Sequence, residues 1–442
     1  RLLLMGGAQW SLVGRQKAPN GAAREYVSCR SFLTRAVISH PDDDQDYDAP
    51  HIYMPAENHL IRSIHTHCTS AHFVYITVEG EAYTFGRNET GQLGNGTTVS
   101  TSIPQLVDRR AIGAQDTTFV SAATGRGHTL LLTVDGRVFA AGDNKALQLG
   151  FKSKQPTVPT FTHVAAASAV AGDRPLAAVA CGSDFSVALV RGSGRVVTWG
   201  HPEFGQLGHG SDESYMPSAG KIIFQPQLPH VIATWAPLPA DAGLPAPASA
   251  DVDAAAPPNI VSVACGANHT LAVDDAGGLW VWGCAGFGRL GSGHSGISDL
   301  AVPAPVMTFR YRGDAGKIRA IAAGPTCSMA TDAQGSLWLW GKWKNSGDGG
   351  SGTPWMQPRP YMGLSGWNIS AIAMGLVTLF AIGDGGKAIS WGQNASNGEL
   401  GHGPDEPKSS TQAKLIPSLE GITAYALACG MRTSLILVSP DD

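Results

Sequence analysis

Short segments with alternating apolar and polar residues recur along the whole chain, and glycine-rich turns separate them. In one clear copy, residues 271–274 alternate as a strand does, residues 275–278 have the composition of a hairpin turn, and residues 279–283 form a second strand. A glycine-rich loop and another short apolar segment follow. The pattern therefore predicts small antiparallel sheets of about four strands each.

Two motifs mark each copy of this pattern. An aromatic residue and a glycine precede a Gly-x-Leu-Gly loop, as in residues 199–208, and small residues with Cys or Gly precede His-Thr, as in residues 264–270. One such sheet cannot bury both of its faces alone, so the copies must stack on one another. The aromatic-glycine pairs, of which the second and fifth copies are degenerate, end at Gly86, Gly142, Gly200, Gly283, Gly341 and Gly392.

The two ends of the chain carry complementary halves of a seventh copy. Residues 426–438 contain the first half, and residues 2–6 contain the strand and glycine of the second half. We therefore predict an all-β fold, a seven-bladed β-propeller with four-stranded antiparallel blades, whose terminal segments pair in one blade and close the ring. Residues 1–442 form one propeller in this interpretation, with an insertion at 15–60 that includes an acidic run and an Ala/Pro-rich insertion at 210–258.

Composition narrows the class of protein further. The 442 residues include 55 glycines, whereas an average content of about 7% would give roughly 31, which agrees with a turn-rich β fold. The net charge of −4 lacks the positive excess of most proteins that bind nucleic acid. Seven cysteines without a C-x-x-C pair favour reduced, buried thiols in an intracellular protein over a zinc or disulfide framework. No apolar run is long enough to span a membrane.

The paired motifs resemble the regulator of chromosome condensation repeat family over essentially the whole chain. Residues 6–15, 202–209, 264–271, 326–328, 398–403 and 407–411 are similar in particular to the regulator of chromosome condensation 2 subfamily. The resemblance implies a seven-bladed propeller that binds other proteins. The family includes an exchange factor for the Ran GTPase, and for the subfamily, activity towards Rac- and Arf-type GTPases and chromatin association have been proposed.

The resemblance also implies a compartment and has limits. It places the protein in the nucleus or cytoplasm, with a mitochondrial or cytoskeletal assembly as the alternative. The basic N-terminal tail with which relatives attach to chromatin is not visible in the sequence, which begins at Arg1 rather than Met, so we expect residues to precede it. The Ran exchange factor acts through a protruding hairpin, and its residues have no recognisable counterparts in this sequence, so the resemblance assigns no exchange-active residue here.

Recurrent histidines and cysteines are interpreted as structural. His72, His128 and His269 share one position of the repeat, where we expect a ring nitrogen to cap backbone groups between strands. Four cysteines share another position, on the strand nearest the axis, where small buried side chains fit. These four are Cys68, Cys181, Cys265 and Cys429. We therefore predict no catalytic residue, no metal site, no cofactor and no small-molecule substrate.

Three segments are candidate contacts for a protein partner. The degenerate fifth copy replaces the consensus loop with an aromatic and basic segment, and Trp355 follows it closely. A second candidate is an apolar segment that could form a protruding hairpin with residues 231–233, and the third is the acidic run. A modest excess of basic residues between 15 and 35 leaves RNA or acidic proteins as further partners. The candidate residues are Lys342, Trp343, Lys344 and Trp355; Ile222, Ile223 and Phe224; and Asp42, Asp43, Asp44, Asp46 and Asp48.

Two functional hypotheses follow from these observations. The first is a rigid, non-catalytic interaction platform that acts as a scaffold subunit in a larger assembly. The alternative is a guanine-nucleotide exchange factor or another regulator of a small GTPase of the Ran, Rac or Arf type. Such a factor needs no nucleophile, because it acts by binding the GTPase, so the lack of a catalytic motif excludes neither hypothesis.

Overall fold

Seven four-stranded antiparallel sheets are arranged as the blades of a closed ring. The computed structural model describes residues 2–6, 30–35, 60–218, 221–238, 257–293, 298–344, 353–396, 398–403, 406–407 and 409–439. We number the blades I to VII from residue 61, so that blade VII contains both ends of the chain. The predicted seven-bladed β-propeller is confirmed.

The strands follow the repeat identified in the sequence, with the first strand of each blade nearest the axis. The first strands along the chain are β1 (Leu2–Gly6) and β2 (Arg30–Arg35) of blade VII, followed by β3 (Ile61–His65), β4 (His72–Thr77), β5 (Ala82–Gly86) and β6 (Thr101–Leu106) of blade I and by β7 (Phe119–Thr124), β8 (His128–Thr133), β9 (Val138–Asp143) and β10 (Thr157–His163) of blade II. Blade III contains β11 (Leu176–Cys181), β12 (Phe185–Val190), β13 (Val196–Gly200) and β16 (Gln227–Val231), with the hairpin β14 (Ser214–Ser218) and β15 (Lys221–Phe224) inserted before β16, and blade IV contains β17 (Ile260–Cys265), β18 (His269–Asp274), β19 (Leu279–Gly283) and β20 (Leu300–Pro305). Blade V contains β21 (Ile318–Ala323), β22 (Cys327–Asp332), β23 (Leu337–Gly341) and β24 (Trp355–Pro360), blade VI contains β25 (Ala371–Met374), β26 (Leu379–Gly383), β27 (Lys387–Gly392) and β28 (Ser410–Leu415), and blade VII is completed by β29 (Ala424–Cys429) and β30 (Thr433–Val438).

Blade VII closes the ring with strands from both ends of the chain. Strand β1 pairs antiparallel with β30, from Leu2 opposite Leu437 to Gly6 opposite Thr433. Side chains alternate along β1, so Leu2 and Leu4 pack into the core shared with blade I, whereas Leu3 and Met5 pack against blade VI. The predicted closure by the terminal segments is confirmed, because strands from both ends of the chain form one four-stranded blade.

Glycine at the end of each third strand allows two loops to approach closely. Gly283 has φ of +100°, and a Cβ atom there would lie 2.6 Å from the carbonyl oxygen of Asn268. Any other residue would clash with the turn that precedes His269. The aromatic-glycine pair of the repeat is therefore required by packing within the blade.

The insertion in blade III differs in detail from the prediction. Residues Ile222, Ile223 and Phe224 do form a protruding hairpin, but its other strand is β14, with Tyr215 opposite Ile223. Val231 instead belongs to β16, which pairs with β13 as the outer strand of the blade. The expected pairing with residues 231–233 is wrong, because those residues complete the four-stranded sheet.

Helices are short and lie in the connections between blades. Helix α1 (Ala165–Val170) precedes blade III and helix α2 (Met307–Arg310) precedes blade V, and the remaining helical segments are single 3₁₀ turns. Among the described residues, no helix has the length and apolar character needed to cross a membrane.

Candidate interaction site between blades V and VI

Side-chain hydrogen bonds join neighbouring blades, and the interface between blades IV and V shows the full set. The Ser328 hydroxyl donates to the carbonyl oxygen of Arg289 at 2.8 Å, so it accepts from Nε2 of His269, also at 2.8 Å. The indole N–H of Trp340 donates to the same carbonyl at 2.8 Å. Arg289 belongs to the Gly-x-Leu-Gly loop of blade IV. We call these contacts the side-chain bridge.

A backbone hydrogen bond near the axis accompanies the side-chain bridge. The N–H of Ala267 in blade IV donates to the carbonyl oxygen of Gly324 in blade V. Equivalent bonds run from Arg126 to Ser183, from Leu376 to Gly430 and from Met431 to Ser70. Each joins the turn before the second strand of one blade to the same turn of the next, and we call it the backbone bridge.

The recurrent histidines belong to these bridges. Nε2 of His72 lies 2.8 Å from the Thr129 hydroxyl, and Nε2 of His128 lies 3.0 Å from the Ser186 hydroxyl, in each case on the next blade. Burial lowers the pKa of both histidines to about 3, so the rings are neutral at physiological pH. The histidines therefore have a structural role between blades, in which the rings interact with backbone of the next blade, as expected, and also with a hydroxyl of that blade. The ring bonds a hydroxyl of the next blade, and that hydroxyl bonds the backbone.

Among the described residues, the interface between blades V and VI shows neither kind of bridge on the same face. Pro325 stands where the backbone donor is needed and has no N–H. Cys327 occupies the histidine position, and Leu379 occupies the hydroxyl position. The indole N–H of Trp391, equivalent to that of Trp340, is buried without a hydrogen-bond partner among the described residues. Within the part of the chain described, each of the other six interfaces keeps at least one bridge.

A cavity of about 240 Å³ opens at this unbridged interface. It lies on the face of the ring that carries the loops between first and second strands and between third and fourth strands, which we call the loop face. Blade V contributes one wall and blade VI the other, while Phe287 reaches over from blade IV. The lining residues are Phe287, Thr326, Cys327, Lys342, Trp343, Lys344, Met374, Gly375, Leu376, Val377, Thr378, Leu379, Gln393 and Asn394.

The predicted aromatic and basic segment forms the rim of this V–VI cavity. Trp343 packs edge-on against Trp355, with ring centroids 6.2 Å apart, and Nζ of Lys344 lies 4.8 Å from the centroid of Trp343. The backbone of Lys342 is fixed by Thr326, whose carbonyl accepts its N–H at 2.8 Å and whose hydroxyl donates to its carbonyl at 2.6 Å. The structure therefore brings Lys342, Trp343, Lys344 and Trp355 together.

Phe287 is a site residue that the sequence did not single out. Its side chain is 47% exposed, and its φ of 63° is in the left-handed region that a bulky residue rarely adopts. The Lys342 ammonium lies 5.5 Å from the ring centroid, and the Arg289 guanidinium lies 5.6 Å from it. A Phe immediately before the Gly of the blade IV loop was visible in the sequence, but its proximity to Lys342 depends on the ring.

The other two candidate segments do not join this site. Ile222, Ile223 and Phe224 lie on the inserted hairpin of blade III and do not line the V–VI cavity, although Ile222 is 59% exposed. Asp42, Asp43, Asp44, Asp46 and Asp48 lie outside the described residues. Their proposed partner contacts remain predictions.

A second cavity, of about 220 Å³, lies on the ring axis and is lined by the innermost strands. His67 of blade I reaches across the axis, where its Nε2–H donates to the carbonyl oxygen of Cys265 in blade IV at 3.1 Å. Burial raises the pKa of the Cys265 and Cys429 thiols to about 12 and also raises that of Cys68 and Cys181. These thiols are protonated and unreactive. The described residues contain no group of His, Cys, Asp or Glu that could hold a metal.

Comparisons with known proteins agree with this architecture. The RCC1-like domain profile matches residues 38–436. The chain is 34% identical to Protein RCC2 of Homo sapiens over 446 residues, covering 100% of this chain and 77% of the relative. It is 33% identical to the Protein RCC2 homolog of Xenopus laevis, covering 99% of this chain and 77% of the relative.

Solved structures share the fold at lower sequence identity. Human WBSCR16 superposes with a TM-score of 0.71 at 21% identity, covering 99% of this chain and 98% of that one. Prp20p from Saccharomyces cerevisiae superposes with a TM-score of 0.70 at 19% identity, covering 100% and 92%. The bladed ring, the motifs of its bridges and these similarities lead to one conclusion: the chain belongs to the RCC1-like domain family and, within it, to the group of the RCC2 proteins.

Proposed function

We propose that this protein is a non-catalytic interaction platform that binds other proteins on the loop face of its propeller and acts as a scaffold subunit. The observation that carries the proposal is the V–VI cavity. At this interface the described residues form no bridge on the loop face, and an aromatic and basic segment lines the rim of the cavity. Aromatic and long cationic side chains are enriched at the centres of protein interfaces.

The buried titratable groups support binding over chemistry. The histidines of the repeat are used as inter-blade bridges, and the axial thiols are held protonated by burial. A nucleophile or general base needs a pKa matched to its task and access to a substrate, and these groups have neither.

Regulation of a small GTPase is the second candidate function, and the family favours it. Prp20p, which shares this fold, binds Gsp1p and histones. By analogy, a small GTPase and chromatin are candidate partners here, in the nucleus or cytoplasm. An exchange factor acts by binding its GTPase, so a rigid platform is compatible with this activity as well.

A pull-down under two nucleotide conditions distinguishes the two functions. Tagged protein is incubated with cell extract once with a chelator that strips nucleotide and once with excess GTP and Mg²⁺. A constant set of partners in both conditions is expected for the platform. A small GTPase captured only without nucleotide would establish the second candidate instead, and capture of no protein above a tag-only control would refute both.

Charge-reversal variants then locate the binding face. Lys342→Glu changes the rim of the V–VI cavity, and Lys145→Glu makes the same change on an exposed lysine of the loop face in blade II. We expect Lys342→Glu to reduce the captured set and Lys145→Glu to leave it unchanged. Equal capture by both variants would move the binding surface away from the V–VI cavity.

A further inference from the structure

The V–VI cavity has the size, lining and charge to select one chemical class of partner. We propose that it binds a short acidic segment of a partner protein, which inserts one large apolar side chain into the cavity and places its flanking carboxylates beside Lys342. This inference rests on the proposed function, since it names the chemistry of a partner of the platform.

The volume of the cavity sets the size of the inserted group. The cavity has a volume of about 240 Å³, below the about 300–1,000 Å³ of pockets that hold drug-sized ligands. The cavity therefore suits a single large side chain rather than a cofactor. Met374, Leu376, Val377, Leu379 and Trp343 supply an apolar lining for it.

The charge of the lining sets the sign of the flanking residues. The described residues that line the cavity include two lysines and no carboxylate. Lys342 lies over the exposed ring of Phe287, which keeps its ammonium at the mouth of the cavity. Carboxylates on either side of an inserted apolar residue would meet this charge at short range, where the ion pair is partly shielded from water.

The arrangement of the aromatic rings favours a peptide over a nucleic acid. Single-stranded nucleic acids bind aromatic side chains by stacking bases on open ring faces. Nζ of Lys344 lies 4.8 Å from the ring centroid of Trp343, and Nζ of Lys342 lies 5.5 Å from the ring centroid of Phe287. These contacts occupy ring faces that a base would need, so an apolar side chain between the blades is the better fit.

The missing bridges explain why the cavity lies at this interface. On the opposite face, blade V and the segment before blade VI are joined by the N–H of Ile369, which donates to the carbonyl of Gly335 at 2.9 Å. On the loop face, Pro325 and Leu379 supply neither a backbone donor nor a hydroxyl. A side chain can therefore enter between the walls without breaking a bridge between described residues of the two blades.

Direct binding of synthetic probes tests this proposal. Fluorescein-labelled nonapeptides EDDEFEDDE, EDDELEDDE and EDDEWEDDE are titrated with the full chain, and anisotropy is measured. The controls are EDDESEDDE, which lacks the apolar residue, and KRKKFKKRK, which reverses the charges. We expect at least one apolar probe to bind at least ten-fold more tightly than both controls.

Variants of the protein locate the site of binding. Lys342→Glu and Trp343→Ala should each weaken the best probe at least ten-fold, whereas Trp343→Phe and the matched control Lys145→Glu should change it less than two-fold. Melting temperatures of all variants are measured in parallel. A loss of probe binding at an unchanged melting temperature then shows that the substitution acts on the binding site rather than on folding. Phe287→Gly removes a ring from the mouth while relaxing the left-handed backbone, and it should weaken binding without lowering the melt.

The outcomes are distinct from those of the pull-down. No binding by any apolar probe, equal binding of EDDESEDDE, or no dependence on Lys342 would overturn the acidic-segment site while leaving the platform intact if partners are still captured. Displacement of the best probe by the oligoribonucleotide U10 at equal or lower concentration would assign the surface to nucleic acid instead. Probe binding that depends on Lys342, together with an empty pull-down, would support the site and refute the platform.

Discussion

The IV–V and V–VI interfaces have the same fold and differ in how they are held together. At the IV–V interface, Ser328 and Trp340 donate to one loop carbonyl of blade IV, His269 bonds the Ser328 hydroxyl, and a backbone bridge lies beside them. At the V–VI interface, the loop is replaced, the donors are absent and the indole of Trp391 has no partner among the described residues. The comparison indicates that two blades can pack together without a bridge between described residues on the loop face, where the V–VI contact relies on apolar packing and on the Ile369–Gly335 bond of the opposite face. The bridges decide whether their loop edges close or leave a cavity.

Acidification should produce the largest change, because it acts on the bridged interfaces. Burial lowers the pKa of His72 and His128 from 6.5 to about 3 in the folded state. Below pH 6.5 the histidines of the unfolded chain bind protons that those of the folded chain do not. The free energy of unfolding therefore has its maximal histidine contribution above pH 6.5 and falls as the pH drops towards 3. Each histidine contributes roughly 1.4 kcal/mol per pH unit in that window.

The measurement is chemical denaturation at pH 7 and pH 4.5. We expect His128→Gln to be less sensitive to this change than the wild type by about 2–3 kcal/mol. Hydrogen exchange should show blades II and III losing protection before the strands of blade VII, which contain no histidine. An unaltered pH dependence in the variant would contradict the role of His128 as a buried neutral bridge.

Removal of the Ser328 hydroxyl, which links His269 to the loop carbonyl, should have the next largest effect on the free energy of unfolding. Ser328→Ala leaves Nε2 of His269 and the carbonyl of Arg289 without this partner, and unsatisfied buried groups of this kind cost about 1–3 kcal/mol. We expect the free energy of unfolding to fall by about 2 kcal/mol. The exposed Ser153→Ala serves as a control and should change it by less than about 0.5 kcal/mol.

A matched pair of tryptophan variants isolates one bond of the side-chain bridge. Trp340 and Trp391 are both fully buried at equivalent positions, but of the two only Trp340 donates to a loop carbonyl among the described residues. Both Trp→Phe changes remove a similar side-chain volume, so the difference between their losses in free energy of unfolding reports the contribution of the hydrogen bond. We expect Trp340→Phe to cost about 1 kcal/mol more than Trp391→Phe by denaturant unfolding. Equal costs would mean that the bond at Trp340 adds nothing.

Pro325→Ala should have the smallest effect. The change supplies a backbone N–H that could restore a bridge to blade VI. It also raises the conformational entropy of the unfolded chain, which lowers the free energy of unfolding by about 0.4–1 kcal/mol. A backbone hydrogen bond contributes about 0.5–1.5 kcal/mol, so the two effects nearly cancel. We expect a net change below about 1 kcal/mol, together with slower hydrogen exchange at residues 375–378. A loss above about 2 kcal/mol would show instead that the proline itself stabilises the interface.

Much of the architecture was predictable because the repeat encodes it locally. Each blade needs alternating strands, a tight turn and the glycine at the end of the third strand, and these appear in every copy with a spacing that can be counted. The complementary halves at residues 2–6 and 426–438 predicted ring closure, which the pairing of Leu2 with Leu437 confirms. The strand containing Ile223 was assigned the wrong partner, because the segments around Tyr215 and Val231 are both suited to a strand and the sequence does not show which one pairs with it.

The candidate site was predictable only in part. The sequence by itself determined the seven blades, the closure of the ring and the unusual Lys342–Trp343–Lys344 segment, because strand alternation, turns and degenerate loops are visible along the chain. Only the tertiary structure decided that Phe287 lies over this segment, that His269 bonds a hydroxyl 59 residues away, and that Trp391 has no partner among the described residues. These contacts join residues of different blades, and the distances between them depend on how the blades pack around the axis.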